Sequence, residues 1–342
     1  MNKLVAKPDE PKNRKKQLLA ESGIGIHAYN NYWQKPAATE EAAFRAISKS
    51  ESNHGFDYLA FAWATLIDGV ANRTRSAREI LSALGNTKRD LTREPKKRCT
   101  VAQHIRADEF IEIFATMGVT DLFWSHATTS VTEMNGIRVH PFPLFPAQAP
   151  DFVGSSAPEK RYLANFVGAY NPKIYLSNVR KVIFEDARTE PDLRIVKRGQ
   201  WHFDRAVYHE QVQGRTPSHA ELSKEDTEKQ EYLQAIRSSW FTLCPTGSGP
   251  NSIRLFECLA LGSIPIILTK DLRLPGDQSL WQRAAIIEED SEQGYRQALD
   301  CAKQITVDDR IAMLKAGKDL YSVVGPAGYK NIIVEQMSLY ER

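Results

Sequence analysis

Along most of this chain short apolar runs alternate with segments whose apolar positions recur every three to four residues. In the first half the runs are 25–29 (GIHAY), 56–67, 99–105 (CTVAQHI) and 121–127 (DLFWSHA), each of strand length or mixed aromatic and β-branched character. Between them the spacing predicts helices over 39–50, with Thr39 as cap and Glu40 and Glu41 in the first turn, over 76–84 ended by Gly85, and over 108–117 ended by Gly118. Strand and helix in alternation imply a parallel sheet covered on both faces. The stretch 140–158 (HPFPLFPAQAPDFVGSSAP) breaks the rhythm with five prolines and a Gly-Ser-Ser, and reads as a connector.

The pattern then restarts. Strands are expected at 160–170 (ending in Gly168), 192–198, 240–244, 264–268 and 284–288, and helices at 177–185, 218–234, 293–303, 308–323 and 328–340. The expected architecture is α/β, with two Rossmann-like halves facing each other across a cleft. Residues 1–22 form a basic tail, 23–150 the first half, 159–325 the second and 326–342 a final helix. Ligands of such halves bind at the carboxyl ends of the strands.

The segment 238–270 (SSWFTLCPTGSGPNSIRLFECLALGSIPIILTK) is the clearest single unit: strand, glycine turn, helix, strand. Gly247 and Gly249 allow backbone angles closed to other residues. Asn251 or Ser252 is placed to cap the helix, and Gly262 to end it. A helix start after such a turn offers unpaired N–H groups and a positive dipole end to an anion. Arg254 and Glu257 lie one turn apart near that end. This suits a nucleoside diphosphate, with Gly247, Ser248, Gly249, Asn251, Ser252 and Arg254 at the phosphates and Glu257 at a hydroxyl. A plain solvated Arg–Glu pair on an ordinary βα unit is the competing reading.

Composition narrows the picture without deciding it. At 42% hydrophobic and 25% charged the 342 residues fit a globular protein of two domains. A net charge of +3 is too small to indicate nucleic acid. The one basic cluster, Lys12, Arg14, Lys15 and Lys16, reads as a solvated tail or a contact for an anionic membrane surface. No run of about 18 apolar residues is present and no apolar leader core, so a cytoplasmic protein, peripheral at most to the inner face of a membrane, is expected. The four cysteines form no CxxC pair or zinc spacing and are expected to be buried free thiols.

The block CPTGSGPNSIRLFECLALGSIPIIL, followed by LPG and LWQRAAIIEE, resembles the exostosin-type glycosyltransferases. Pro245, Gly247, Ser252, Arg254, Glu257, Pro265, Pro275 and Trp281 fall in step with that family's pattern. KRYLANFVGAYNPKIYLSNVRKVIF resembles its strand with Phe-x-Gly and its helix with Ser-x-x-Arg, which puts Arg180 at the position facing the donor diphosphate. The likeness covers about 160–290 well. It is weaker over 55–145, where YLAFAW, TVAQHI and LFWSHATT look like microbial members. Thr246 and Ser248 depart from members with Arg in the glycine turn, which leaves the donor open.

The resemblance implies a GT-B fold and an inverting transfer of a hexosyl or pentosyl unit from a nucleotide-sugar, held by the second half, to a polysaccharide or lipid-linked glycan on the first. A sugar-nucleotide epimerase or hydrolase, or a non-catalytic glycan-binding partner subunit, are the alternatives. Such chemistry needs a base for the acceptor hydroxyl and positive charge for the leaving diphosphate. The charge would come from arginines and helix ends with no metal cofactor, in keeping with the absence of a tight Asp-x-Asp motif. His126, His104, Asp68 and Glu133, read at or just after strand ends of the first half, are the base candidates. Trp201 and His202 are candidates for a nucleobase or sugar pocket, with mutual packing the competing reading. Trp63, Trp124 and Tyr29 are candidate sugar-stacking or core aromatics.

Overall fold

The computed structural model describes residues 25–49, 55–91, 97–149, 159–187, 190–200 and 205–339. The tail and the Trp201–His202 pair read from the sequence lie outside the described residues.

The first sheet is built from β1 (Gly25–Ala28), β2 (Phe56–Ala60), β3 (Lys97–Ala102), β4 (Asp121–Trp124), β5 (Glu133–Met134) and β6 (Ile137–Pro141), in the order β1-β2-β3-β4-β6-β5. All pairings are parallel except the β5–β6 hairpin. Its helices are α1 (Thr39–Ser48), α2 (Trp63–Ala71), α3 (Arg75–Asp90) and α4 (Ile111–Thr116). Side chains alternate across the sheet as strand geometry requires. Leu59, Ala102, Leu122 and Trp124 face α2, α3 and α4, while Phe56, Tyr58, Cys99, Val101 and Phe123 face α1.

The second sheet contains β7 (Tyr162–Gly168), β8 (Leu193–Lys197), β9 (Ser239–Pro245), β10 (Ile264–Leu268) and β11 (Ile286–Glu288), all parallel. Its helices are α5 (Val179–Asp186), α6 (His219–Arg237), α7 (Ile253–Ala260), α8 (Gln278–Ala284), α9 (Glu292–Gln304) and α10 (Val307–Val324), with a π-helical segment at Arg205–Val212. The order β8-β7-β9-β10-β11 reverses direction between β7 and β9. In a doubly wound sheet that switch point is where two loops diverge and leave a crevice for a ligand. The last helix, α11 (Tyr329–Ser338), returns to the first domain, where Tyr329, Ile333 and Met337 close its α1 face. Two facing Rossmann-like domains with this arrangement make a GT-B fold.

Several boundaries differ from the sequence reading, each for a local reason. The apolar run 56–67 is a strand only as far as Ala60; from Trp63 it is helix, buried against α3. A continuous apolar run does not distinguish a buried strand from a buried helix. The helix expected to end at Gly85 continues to Asp90, with Thr74 capping it through the Ala77 N–H. Thr39 begins α1 without capping it, because its hydroxyl accepts from the Phe145 N–H. The start of the proline-rich connector is β6, whose Pro141 ends an inner strand with no ladder donor to lose beyond it. Cys99, Cys244 and Cys258 are buried free thiols as expected, but Cys301 is exposed. Among the described residues no helix is long and apolar enough to cross a membrane, and no group of three His, Cys, Asp or Glu side chains is arranged to hold a metal.

Candidate active site

The crevice at the switch point is formed by the ends of β7 and β9 and the helices that follow them. Arg180, in the first turn of α5, is buried. Its Nε donates to the Thr246 carbonyl at 3.0 Å and its Nη1 to the Ala169 carbonyl at 3.1 Å, and its guanidinium lies 4.1 Å from the Tyr175 ring centroid. Arg254, in the first turn of α7, donates from Nη2 to the Val167 carbonyl at 2.6 Å and stacks 4.5 Å from the Phe166 ring centroid. Its Nε and Nη1 are buried without a hydrogen-bond partner. The two heads converge on Gly168, where a Cβ would lie 3.0 Å from Arg254 Nη2 and 3.5 Å from Arg180 Nη1. Among the described residues neither arginine pairs with a carboxylate. Burial, with the Arg254 charge beside it, pulls the Arg180 pKa down to about 10. Two cations held together with unused donors form a site for an anion.

The glycine turn behaves differently from its sequence reading. Neither Gly247 nor Gly249 is among the glycines in the left-handed region. Gly247 N–H donates to the Gly249 carbonyl at 3.0 Å, and its own carbonyl accepts from Leu176, which ties the turn to the loop carrying Tyr175. Gly249 is small for a packing reason: a Cβ there would lie 2.7 Å from His126 Nδ1 and 2.7 Å from Ile105 Cγ2, both on the other domain. Ser248 is exposed on the turn. Asn251 spans the cleft, its amide donating to the Ser125 carbonyl at 2.6 Å while its Oδ1 accepts from the Ser252 N–H at 2.8 Å. Ser252 occupies the cap position of α7 but makes no side-chain capping bond.

Glu257 is buried and makes no ion pair with Arg254. Its carboxylate accepts from Tyr232 Oη at 2.6 Å and from the Gln148 N–H at 2.9 Å, and burial raises its pKa above the usual carboxylate range. The glycine turn is held from its other side by the Thr246 hydroxyl, which donates to Asp290, a carboxyl whose pKa burial also raises.

On the facing domain the base candidates separate. His126 is buried, with one ring nitrogen on the Gln103 backbone and Nδ1 3.4 Å from the Asn251 N–H. Burial, reinforced by His104, pushes its pKa down to about 3, so it is a neutral clasp between the domains and a weak proton acceptor. Glu133 is exposed on the outer strand and opposite Arg138, which pairs with Asp121 at the start of β4. That is the amino end of the sheet, away from the cleft.

His104 and Asp68 come together. His104 Nδ1 accepts from the Arg106 N–H at 3.0 Å, so Nε2 carries the proton it gives to Asp68 Oδ1 at 3.1 Å. Asp68 is on α2 and not at a strand end, and its Oδ2 accepts from Gln34 at 2.8 Å. Gln103 donates to Gln34 at 3.1 Å. Behind them Glu40, read from the sequence only as a first-turn acid of α1, accepts from the backbone N–H groups of Ala64 and Gln103 at 3.1 Å each. Burial pushes its pKa up to about 8. Gln34, Gln103 and Glu40 carry no spacing signal that would have marked them. Trp63 and Trp124 are core residues.

A family model described as "Exostosin GT47 domain" matches residues 101–293, more than half of the chain. The chain belongs to the exostosin GT47 family. Within this GT47 member the matched span holds His104, His126, Arg180 and the glycine turn through Glu257, and leaves Gln34, Glu40 and Asp68 outside it.

Two relatives from Oryza sativa subsp. japonica are similar over short stretches. "Probable glucuronosyltransferase GUT1" is 36% identical over 58 residues, 17% of this chain and 14% of the relative. "Probable glucuronosyltransferase Os03g0107900" is 48% identical over 44 residues, 13% of this chain and 10% of the relative. The chain thus matches well under two thirds of either relative's length.

Among solved structures, it is distantly similar to Anabaena Alr3699/HepE in complex with UDP and glucose. The identity is 10%, with 87% of this chain and 81% of that chain covered and a TM-score of 0.42. Sucrose-phosphate synthase from Thermosynechococcus elongatus is also similar, at 11% identity, with 88% and 76% covered and a TM-score of 0.44.

Proposed function

We propose that this protein is an inverting glycosyltransferase that moves a hexosyl or pentosyl unit from a nucleoside-diphosphate sugar to a glycan or lipid-linked acceptor. The observation that carries the reading is the convergence of Arg180 and Arg254 on Gly168, with two buried Arg254 donors unused. The donor diphosphate lies against these two heads and the start of α7, and Glu257 exchanges its Gln148 contact for a donor hydroxyl.

His104 serves as the base. With Asp68 holding Nε2–H, the Nδ1 lone pair gives up the Arg106 N–H and takes the proton of the acceptor hydroxyl. The acceptor oxygen bonds to the anomeric carbon on the face opposite the diphosphate. The carbon–oxygen bond to phosphate breaks, and its electron pair leaves with the diphosphate into the arginine pair. The arginines supply the charge that a metal ion would otherwise supply, so the reaction is read as metal-independent. The free thiols suit a reducing, cytoplasmic compartment.

A thermal-shift screen with UDP, GDP, ADP and CMP identifies the donor nucleotide, since stabilisation follows occupancy. Transfer with the matching sugar nucleotide should persist in EDTA and disappear in Arg254→Ala and Glu257→Ala at unchanged fold. Retained transfer in both variants would remove the site assignment. Turnover of the donor without any acceptor, at the rate seen with one, would replace the transferase reading with a hydrolase or epimerase.

A further inference from the structure

Tyr32 holds its ring at the surface on a backbone that tyrosine rarely adopts. Its φ is +63°, a left-handed conformation that costs a bulky residue about 1 kcal/mol or more. Burial does not offset that cost, because the residue is 41% exposed. The ring is nevertheless pinned. Its hydroxyl donates to Glu79 Oε2 at 2.6 Å, Arg75 Nε holds Glu79 Oε1 at 2.6 Å, and the Thr65 hydroxyl donates to the Tyr32 carbonyl at 2.6 Å. The Tyr29 ring lies beside it, centroids 6.3 Å apart and planes inclined by 43°.

This pair stands on the loop that leaves the carboxyl end of β1. Two residues after Tyr32, Gln34 donates to Asp68, the partner of His104. One residue further, the Lys35 backbone exchanges two hydrogen bonds with Gln211 of the second domain. The tyrosines therefore sit at the rim of the cleft, next to the proposed base.

We infer that Tyr29, Tyr32 and Glu79 form a glycosyl subsite that grips the acceptor oligosaccharide beyond its reacting residue. The inference rests on the transferase reading for its role but not for its binding chemistry. A pyranose presents an apolar C–H face, which covers an aromatic ring, and an edge of hydroxyls. Here the edge is met by the Glu79 carboxylate, which accepts, and by the exposed Arg75 guanidinium, which donates. An apolar protein surface laid on the same spot would bury Glu79 and Arg75 without matching them.

The test is titration of the full chain, without donor, with cellohexaose, xylohexaose and a hyaluronan hexasaccharide, followed by saturation-transfer NMR and calorimetry. At least one hexasaccharide should bind the wild type. Tyr32→Gly, whose backbone suits the left-handed angle, should keep the melting temperature and weaken that binding roughly tenfold or more. Tyr32→Phe, which keeps the ring, should retain most of it, and UDP binding should be unchanged in both. Equal hexasaccharide affinity in Tyr32→Gly, loss of UDP binding along with it, or no binding of any hexasaccharide by the wild type would overturn the subsite. Failure of UDP to bind the wild type, with Tyr32-dependent hexasaccharide binding intact, would instead remove the donor reading and leave the subsite standing.

Discussion

Arg180 and Arg254 point their guanidinium groups at one glycine, Gly168, from helices that follow neighbouring strands. Each is held by a backbone carbonyl and an aromatic ring in place of a counter-charge. The arrangement stores like-charge repulsion and unmet donors in the unliganded protein, to be relieved by an anion. Arg254→Leu should therefore raise the melting temperature without ligand, or leave it unchanged, while losing the stabilisation that UDP gives the wild type. A clear fall in the unliganded melting temperature, read by differential scanning fluorimetry, would make Arg254 a structural residue.

The two turn glycines should separate in their responses. A methyl group at Gly249 meets His126 and Ile105 below 3 Å, whereas at Gly247 the nearest atom is 3.9 Å away. Overpacking of this kind costs about 1–3 kcal/mol. Gly249→Ala should lower stability in urea unfolding by about that amount, and Gly247→Ala should leave it within about 0.5 kcal/mol. Equal effects would mean that the domains do not meet through this turn.

The second half of the molecule was largely legible in the sequence. Its central strands β9 and β10 are largely apolar runs buried on both faces, and Ser218 announces α6 with a capping box to Glu221. Gly262, at φ +68°, ends α7 where the pattern says it should. The first half was less legible, because Phe56–Ala60 and the start of α2 form one largely apolar stretch and because Pro141, the last residue of β6, opens the proline-rich run that reads as a linker. Within the site, Arg254 could be found because a helix start after a strand has a fixed place in a doubly wound sheet, and Arg180 through the resemblance of its block to the exostosin-type pattern. His126 and His104 could not be told apart. Both follow strands, and only the three-dimensional surroundings show that one is buried and kept neutral at the domain contact while the other is oriented by Asp68.

Two buried groups should oppose each other in the pH dependence of stability. His126 has a folded pKa of about 3 against about 6.5 unfolded, so its contribution is present above about pH 6.5 and is lost as pH falls toward 3. Glu40 has a folded pKa of about 8 against about 4.5, so its contribution is present below pH 4.5 and is lost as pH rises through 8. Between about pH 5 and 6.5 the two cancel and chemical unfolding should show wild-type stability changing little, whereas from about pH 6.5 to 8 only the Glu40 contribution changes and wild-type stability should fall as pH rises. Over these ranges together His126→Asn should gain stability on acidification and Glu40→Gln should lose it, each relative to wild type. Asp121, held down to about 2 by His140, Arg138 and Thr120 against the opposing effect of burial, adds an acid-side loss only below about pH 4. Parallel curves for all three proteins would refute the assignment.

His104→Ala and Asp68→Asn should each lower kcat by roughly 10²–10⁴-fold, the usual yield of a positioned base, with the affinity for the donor nucleotide unchanged. Gln34→Ala should give a smaller loss of the same kind, because it removes one of the two bonds orienting the Asp68 carboxylate. Steady-state kinetics of the purified variants checks this, and transfer by His104→Ala at the wild-type kcat would assign the base to another group.

The most direct measurement is a calorimetric titration of UDP, or whichever nucleoside diphosphate stabilises the protein, into wild type and the Arg180→Ala/Arg254→Ala double variant. Each charged contact to phosphate contributes about 1.5–3 kcal/mol. The wild type should bind, and the double variant should bind at least about a hundredfold more weakly at an unchanged fold. Equal affinity in the two proteins would contradict the donor site at Gly168.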